Sequence, residues 1–188
     1  MAQVAAIVLA AGASSRFGSP KQFIRLGGET LLERAVRVVS EAGLSPIYGV
    51  ISNDFSHESV PYPMISVVNP QAIEGIASSI RCGIRAVENV AATLSGSIIL
   101  ACDQPAVTVE HLKQLALGGP EVLASAYAGR KGIPAYFPKE VLRKLLALRG
   151  DTGAREFLKA AKAIDLPAGE LDIDTIEDLD RARKFYET

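Results

Sequence analysis

The sequence predicts a three-layer α/β/α domain with a mainly parallel sheet, and two observations support this fold class. Short apolar runs rich in β-branched residues alternate along the chain with segments whose apolar residues recur every three or four positions. Such alternation is typical of strands and amphipathic helices joined by right-handed crossovers. Neither an internal repeat nor a linker interrupts the pattern, so we expect residues 1–188 to form one domain.

The first half of the chain carries four expected strands, at residues 4–9, 47–51, 64–68 and 97–102. Thr30 and Glu33 form a capping-box pattern before an amphipathic helix, and Gly43 is a plausible end for that helix. A second helix is expected to open at 75–84. Ser78 and Ser79 lie in its first turn, beside backbone N–H groups that have no partner within the helix.

The second half is expected to add shorter elements. Thr108 caps a helix that runs to about residue 117, and a strand follows at 122–127. A glycine-bounded basic loop at 129–132 then runs into a short extended piece. Three helices and one short strand are expected after it, at 139–148, 150–163, 164–166 (the strand) and 176–186.

Composition excludes several classes of protein. Of the 188 residues, 48% are hydrophobic and 22% are charged, which is ordinary for a globular domain. The net charge of −1 gives no general attraction to nucleic acid or to an anionic membrane. Two cysteines are too few for a disulfide framework, and neither a signal peptide nor a membrane-spanning apolar stretch is apparent. We therefore expect a soluble, cytoplasmic protein.

The loop at residues 9–21 is the strongest functional signal. It follows directly on the first strand and combines small residues with two cations, Arg16 and Lys21. Backbone N–H groups and cations of this kind suit a triphosphate. The loop is not a Walker A loop, because Phe17 stands five residues after Gly12 and no Gly-Lys-Ser/Thr follows. It is not a dinucleotide-binding loop either, because Ser14 takes the position of the second glycine. Loops of this length are usually functional or disordered, so the pattern predicts a nucleotide site.

Acidic residues offer candidate metal ligands. Asp103 follows a buried strand, where it could hold Mg²⁺ against a triphosphate or could cap local N–H groups. Asp172 and Asp174 are a second source of carboxylate. Because aspartate commonly precedes a capped helix, the residues by themselves favour that local role for the pair.

Two later loops leave alternatives open. Arg130 and Lys131, between glycines, could bind a second anionic substrate or could form a solvated hairpin tip. Asp151 and Arg155 lie four residues apart, as in a surface ion pair or a ligand site.

Taken in order, these motifs resemble the nucleotidyltransferases with a MobA-like fold, and most of all the molybdenum-cofactor cytidylyltransferases of the MocA type. The resemblance covers nearly the whole chain, through residues 9–21, 69–70, 75–83, 102–105, 129–134, 150–155 and 172–179. It implies a Rossmann-like three-layer α/β/α fold with a mixed sheet, like that of the nucleotide-diphospho-sugar transferases. Two departures, Phe17 for Met and Ile176 for Pro, remove no polar group.

The resemblance also implies an activity: transfer of CMP from CTP to the phosphate of molybdopterin carrying molybdenum, with release of pyrophosphate. Arg16 would hold the β- and γ-phosphates, Lys21 would reach toward the α-phosphate, and Asp103 would bind Mg²⁺. Asp174 would be a second metal ligand. The residues implied to contact the substrates are Leu9, Ala10, Ala11, Gly12, Ser14, Asn69 and Ser79 on the nucleotide side, and Arg130 and Asp151 on the pterin side.

Ala11 carries the expected choice of nucleotide, because the guanylyltransferase branch of the family usually has glycine there. Two other functions remain open. One is transfer to another phosphorylated acceptor, such as a sugar or polyol phosphate. The other is a non-catalytic carrier that delivers the pterin cofactor to a molybdenum hydroxylase, an enzyme that is also the expected recipient of the transferase's product.

Overall fold

The computed structural model describes residues 3–12, 20–55, 60–90, 93–150 and 153–186. One mixed sheet of seven strands runs through these residues. Its strands are β1 (Gln3–Leu9), β4 (Ile47–Ile51), β5 (Ile65–Val68), β6 (Leu94–Ala101), β7 (Leu123–Tyr127), β8 (Arg130–Pro138) and β9 (Lys162–Asp165). The strands β2 (Arg25–Leu26) and β3 (Glu29–Thr30) form a separate antiparallel pair.

The strands of the large sheet lie in the order β5-β4-β1-β6-β8-β7-β9. Strands β5, β4, β1 and β6 are parallel to one another, and β8 pairs antiparallel with both β6 and β7. The predicted α/β class with a mainly parallel sheet is confirmed. Because β1, β4, β5 and β6 point the same way, the segments that follow them emerge at one edge of the sheet, where ligands bind in folds of this kind.

Helices cover both faces of the sheet. They are α1 (Leu31–Glu41), α2 (Ile76–Glu88), α3 (Val109–Ala116), α4 (Lys139–Leu145), α5 (Arg155–Lys159) and α6 (Ile176–Tyr186). Residues of β1 alternate between two hydrophobic clusters. Ala6 and Val8 belong to the cluster that holds residues of α1 and α3, whereas Ala5 and Ile7 belong to the one with residues of α2, α4 and α5. This alternation produces the three layers.

The predicted capping box starts α1. The Glu33 backbone N–H donates to Thr30 Oγ1 at 3.1 Å, and the Thr30 N–H donates to Glu33 Oε2 at 2.7 Å. A similar arrangement precedes α6, where Thr175 Oγ1 accepts from the Asp178 N–H at 3.2 Å and Asp178 Oδ2 accepts from the Thr175 N–H at 2.8 Å. Both starts were readable from sequence because a cap needs contacts only between residues three apart.

A third hydrophobic cluster joins the end of the chain to its first third. It contains Leu26, Leu31, Ile173, Leu179 and Ala182. Ile173 is fully buried in it, and its two neighbours in sequence, Asp172 and Asp174, line a cavity described below. The alternation of acidic and apolar residues in 172–174 therefore anchors the segment and leaves its carboxylates at the site.

Several boundaries expected from the sequence differ, most of them in the second half of the chain. Residues 130–138 form one nine-residue strand, so the expected basic loop at 129–132 shrinks to a tight turn at Ala128 and Gly129, whose φ angles are 46° and 71°. Helix α4 ends at Leu145, and α5 spans Arg155–Lys159 in place of the expected helix to residue 163. Strand β9 accordingly begins at Lys162. Among the described residues, none of the helices is long and apolar enough to span a membrane.

Candidate active site

The centre of the site lies where β1 and β6 end. These strands pair in parallel up to Leu9 and Ala101, and the Cys102 N–H donates to the Leu9 carbonyl at 3.2 Å. On the other side of β1, the Ala10 N–H donates to the Val50 carbonyl at 2.8 Å. Ala11, Gly12 and Asp103, which follow these last bonds, line a depression at the edge of the sheet.

One cavity of about 360 Å³ opens beside the end of β1. Seven residues predicted for the site line it: Leu9, Ala10, Ala11, Gly12, Lys21, Ser79 and Asp103. Gln22, Ile73 and Ile76, which the sequence did not single out, contribute to the same wall. Small side chains and backbone from the end of β1 thus face apolar side chains from the start of α2 across a space suited to a planar base and a sugar.

A second cavity, of about 310 Å³, adjoins the first. Its wall combines apolar side chains with charges of both signs, among them Tyr127, Arg130, Arg155, Asp172 and Asp174. Both cavities share Lys21, Ile76, Ala101 and Asp103. The two spaces therefore meet at Lys21 and Asp103, so two ligands bound side by side would contact each other there.

Lys21 joins the two predicted metal ligands. Its ammonium contacts Asp103 Oδ2 and also lies 2.9 Å from Asp174 Oδ1. Burial by itself would lower the pKa of Lys21, but the charges and hydrogen bonds of Asp103 and Asp174 outweigh it and raise the pKa above its ordinary value. Lys21 therefore stays protonated at any physiological pH, as electrostatic stabilisation of phosphate requires.

Asp172 has a different environment from the other two carboxylates. Burial, followed by the nearby negative charges of Asp103 and Asp174, raises the pKa of Asp172 to about 6. Its Oδ1 atom is buried and has no hydrogen-bond partner among the described residues. The same holds for Oε1 of Gln104, a residue only 7% exposed. Buried acceptors without donors are unusual in a folded protein, and both of these belong to residues that line the second cavity.

Comparisons with known proteins agree with this geometry. Residues 6–165 match the model of the MobA-like NTP transferase domain family. The chain belongs to this family. It is therefore a nucleotidyltransferase, and its fold is one that other nucleotidyltransferases share.

Three matches span nearly the whole chain. The "Purine catabolism protein PucB" of Bacillus subtilis is 32% identical, with 95% of each chain covered. A "Probable molybdenum cofactor guanylyltransferase" of Opitutus terrae is 28% identical, covering 97% of this chain and 96% of its own. Among solved structures, Rv0371c of Mycobacterium tuberculosis superposes with a TM-score of 0.78 at 25% identity, covering 97% of this chain and 98% of its own.

Hydrogen bonds from three other segments of the chain support the loop that carries Asp103. The Ile173 N–H donates to the Asp103 carbonyl at 3.0 Å. Two residues later in the loop, the Pro105 carbonyl accepts from the Tyr186 hydroxyl and from Arg34 Nη2 at 3.2 Å. The Arg34 guanidinium also lies 4.4 Å from the centre of the Tyr186 ring. Helices α1 and α6 thereby fix the loop that carries Asp103.

Ser79 lines the first cavity, and Asn69 orients it. The Asn69 amide donates to Ser78 Oγ at 2.9 Å and to Ser79 Oγ at 3.1 Å, and its oxygen accepts from the Gln71 N–H at 3.0 Å. At 3% exposure, Asn69 does not line either cavity. The structure thus places Asn69 behind the expected substrate residues, where it orients the first turn of α2.

The two basic residues after the β7–β8 turn have separate roles. Lys131 Nζ donates to the carbonyls of Lys159 and Ala161, at 3.0 Å and 2.6 Å, so it fastens the end of α5. Arg130 lies over the Tyr127 ring at 5.3 Å from its centre and faces the second cavity. Both residues line the second cavity, but the ammonium of Lys131 already serves two carbonyls, so Arg130 is the better placed of the two to meet an anionic ligand.

Three predicted site residues, Ser14, Arg16 and Asp151, lie outside the described residues. Sequence reasoning gave no role to Gln104 or Tyr127, although both line the second cavity. For Gln104 a signal existed, since it follows Asp103 directly. Tyr127 offered none, because its position depends on the hairpin that turns β8 back beside β7.

The carboxylates fit a magnesium ion of the kind used in nucleotide sites. Such an ion takes one or two carboxylates and completes its shell with phosphate oxygens and water. Asp103 and Asp174 supply hard oxygen donors, and both already surround one cation, the Lys21 ammonium. Within the described ranges there is no group of three or more acidic, histidine or cysteine side chains that could hold a metal by itself. A bound triphosphate would thus have to complete the site.

Proposed function

We propose that this nucleotidyltransferase transfers CMP from CTP to the terminal phosphate of molybdopterin carrying molybdenum and releases pyrophosphate. The observation that carries the proposal is the pair of adjoining cavities with Lys21 and Asp103 at their junction. A reaction between two bound phosphates needs this arrangement. A molybdenum-cofactor acceptor is supported by relatives named as molybdenum cofactor guanylyltransferases.

The proposed chemistry is a direct displacement. An oxygen of the acceptor phosphate attacks the α-phosphorus of CTP, the bond from that phosphorus to the bridging oxygen breaks, and pyrophosphate leaves. No covalent enzyme intermediate is needed, so positioning and charge neutralisation supply the catalysis. Lys21, fixed at the junction by two carboxylates, would stabilise the charge that shifts onto the phosphoryl oxygens.

Mg²⁺ held by Asp103 and Asp174 would neutralise the triphosphate and so make the α-phosphorus easier to attack. The Lys21 ammonium now shares these two carboxylates, and the phosphates of the nucleotide offer it alternative partners. Arg16 is proposed to hold the β- and γ-phosphates, and Arg130 to meet the acceptor. A molybdenum hydroxylase is the proposed recipient of the product.

CTP is proposed over GTP because of Ala11. This residue is 5% exposed and lines the first cavity, which we propose as the nucleotide-side cavity. Its methyl group occupies space that a glycine would leave open. A narrower cavity favours the smaller pyrimidine ring. Because some relatives are named as guanylyltransferases, the base is the first point to test.

Pyrophosphate release across the four ribonucleoside triphosphates, with and without molybdenum cofactor, tests the proposal. We expect release with CTP and Mg²⁺ only when the cofactor is present. Faster release with GTP would contradict the role given to Ala11. Release with a sugar or polyol phosphate as acceptor would contradict the acceptor, and cofactor binding without any turnover would indicate a carrier.

Lys21→Ala should lower kcat by at least about 10²-fold, since it removes the preorganised cation at the junction. Lys113→Ala on α3 is the matched control, because Lys113 is exposed and lines neither cavity. Circular dichroism and thermal melting establish that both variants fold. A mild loss in Lys21→Ala, similar to that of the control, would remove Lys21 from catalysis.

Ala11→Gly tests the base selection directly. Loss of the methyl group should widen the nucleotide-side cavity and raise kcat/KM for GTP relative to CTP, by about tenfold for one methyl-sized contact. The ratio of the two kcat/KM values is the measurement, because it cancels any general loss of activity. An unchanged ratio would show that the base is selected elsewhere.

A further inference from the structure

We propose that Asp172 and Gln104 recognise the amino-substituted edge of the acceptor's pterin ring by accepting hydrogen bonds from its N–H groups. The inference rests on the proposed function, which supplies a pterin acceptor. A pterin carries a 2-amino-4-oxopyrimidine ring, and the amino group and adjacent ring N–H of that edge are two neighbouring donors. The wall of the second cavity offers the complementary acceptors.

Gln104 has a fixed orientation. Its Nε2 donates to the carbonyl of Ile133 at 3.1 Å, and a carbonyl can only accept. The amide oxygen must therefore point the other way, and this Oε1 atom has no hydrogen-bond partner among the described residues. Gln104 thus places an unpaired acceptor in the wall of the cavity that it lines, while its amide N–H groups serve the Ile133 carbonyl and the carboxylate of Asp172.

Asp172 supplies the second acceptor. Its neighbour Ile173 is fully buried and holds the backbone in place through its N–H bond to the Asp103 carbonyl. The Asp172 side chain lines the second cavity and shares a hydrogen bond with the Gln104 side chain, but its buried Oδ1 atom lacks a partner within the part of the chain that the structure describes. Leaving two such acceptors unpaired is costly, so a ligand that brings donors to them is favoured.

The charge of this wall narrows the class of ligand. Asp172 stands in the same cavity as Asp103 and Asp174, and three carboxylates together repel an anion. Arg130 and Arg155 line the cavity as well and suit the acceptor phosphate. A ligand must therefore combine an anionic group with N–H donors, and the side chains of Tyr127, Ile76 and Leu158 add apolar surface for a flat ring.

The test compares two ligands that differ only at that edge. In 6-hydroxymethylpterin the C2 substituent is an amino group, whereas in 6-hydroxymethyllumazine it is a carbonyl oxygen. Neither carries a phosphate, so neither reacts, and ring fluorescence reports binding at equilibrium in the presence of Mg²⁺ and CTP. We expect the wild-type protein to bind the pterin about tenfold or more tightly than the lumazine, because the carbonyl places an acceptor against acceptors.

Asp172→Asn should bring that ratio close to one, because the introduced amide can donate to the lumazine carbonyl. Glu170→Gln is the matched control: it removes one negative charge from an exposed position two residues away and should keep the wild-type ratio. A residue that merely supports the fold would weaken both ligands equally. Equal affinities in the wild-type protein, or an unchanged ratio in Asp172→Asn, would overturn the inference, and the first of these outcomes needs no variant to fold.

Pyrophosphate release with molybdenum cofactor, measured on the same preparation, separates this inference from the proposed function. Turnover with the cofactor but no discrimination between the two rings would overturn the role of Asp172 and Gln104 and leave the transfer intact. Discrimination that disappears in Asp172→Asn, without turnover, would support the recognition and contradict the transfer.

Discussion

At the scale of single residues, the site depends on one lysine held by two carboxylates from distant parts of the chain. Lys21, Asp103 and Asp174 come together although 82 and 153 positions separate the lysine from its two partners. The lysine neutralises charges that would otherwise repel each other. It therefore stabilises the site before any ligand binds, and it would compete with the proposed divalent cation for the same oxygens.

This competition gives a prediction for metal binding. Lys21→Met keeps most of the side-chain volume but removes the ammonium, so free Mn²⁺ should bind about tenfold more tightly than in the wild-type protein when no nucleotide is present. Titration calorimetry or the electron paramagnetic resonance signal of free Mn²⁺ measures this affinity. Lys113→Met serves as the control, and equal affinities in all three proteins would disprove the competition.

The residues that the sequence revealed are those whose surroundings are local. Asp103 stood out because a charged residue directly follows a buried strand, and 9–12 because small residues end the first strand. Asn69 was placed among substrate contacts, yet its partners Ser78 and Ser79 lie nine and ten positions away, so its buried position depends on how α2 packs. Local sequence patterns do not predict contacts between residues that are brought together only when a helix packs against the sheet.

At the scale of elements, α2 is the helix that forms the second wall of the first cavity, through Ile76 and Ser79. A Cβ atom at Gly83 would lie 2.4 Å from Cγ2 of Ile7 and 3.1 Å from Cγ2 of Val50. Both neighbours are fully buried side chains of the central strands, so neither has room to yield. Gly83 therefore sets how closely α2, and Ser79 with it, approaches β1 and β4.

Gly83→Ala should lower the stability of the protein. Overpacking of a core costs about 1–3 kcal/mol, which exceeds the roughly 1 kcal/mol that alanine gains over glycine within a helix. At about 2–4 °C per kcal/mol for a chain of this size, Tm should fall by several degrees. Differential scanning calorimetry measures the change in Tm. Gly43→Ala cannot serve as a control for the general effect of replacing glycine by alanine, because the φ of Gly43 is positive, at 80°. An unchanged or higher Tm would show that α2 shifts freely.

The β7–β8 hairpin shows why one element was predicted poorly. Two glycines around Arg130 and Lys131 suggest a loop, and Gly129 does lie in the turn with positive φ. Gly132 instead allows the Tyr127 ring to approach the backbone closely, since a Cβ atom at position 132 would lie 2.1 Å from the Tyr127 hydroxyl oxygen. That hydroxyl donates to the Ile133 carbonyl at 3.0 Å. A glycine needed for close approach looks the same in a sequence as one needed for a turn.

At the scale of the whole molecule, the two cavities draw on different parts of the chain. The first is lined by residues between 9 and 103. The second is lined largely by residues between 101 and 174, and the first half of the chain adds Lys21, Ile76 and Ile80 to it. The α/β class and the edge of the sheet that carries the site followed from the alternation of strands and helices. The division into two adjoining cavities did not, because the second cavity is lined by residues from segments far apart in the chain, between Lys21 and Asp174.

The free energy of unfolding should depend on pH through His111, a buried residue of α3 that packs against β7. Its Nε2 is 2.7 Å from Ser125 Oγ, and that hydroxyl donates to the Pro134 carbonyl at 2.5 Å. Burial lowers the pKa of His111, although a backbone hydrogen bond with Asp165 partly opposes this. The unfolded chain then binds more protons than the folded one below about pH 6.5, so the free energy of unfolding should fall as the pH drops from 7.5 to 5.5.

His111→Gln isolates this effect, because a glutamine amide can still donate to Ser125 but does not titrate. The Tm of the variant should decline less between pH 7.5 and pH 5.5 than the Tm of the wild-type protein. The raised pKa of Asp172 acts in the opposite direction over part of this range, and it is common to both proteins and cancels in the comparison. Parallel declines would exclude His111 as the source.

The contact between Lys21 and Asp174 has a consequence for how the protein is made. A growing chain that has emerged as far as Asp103 already holds β1, β4, β5 and β6, four adjacent strands of the sheet. About 70 further residues separate Asp103 from Asp174, and at ordinary rates of translation they take roughly 4–14 s to appear. Until then Lys21 has one carboxylate instead of two, and the Asp103 loop lacks its support from Tyr186. The nascent chain therefore forms the wall of the first cavity before it can complete the junction between the two cavities.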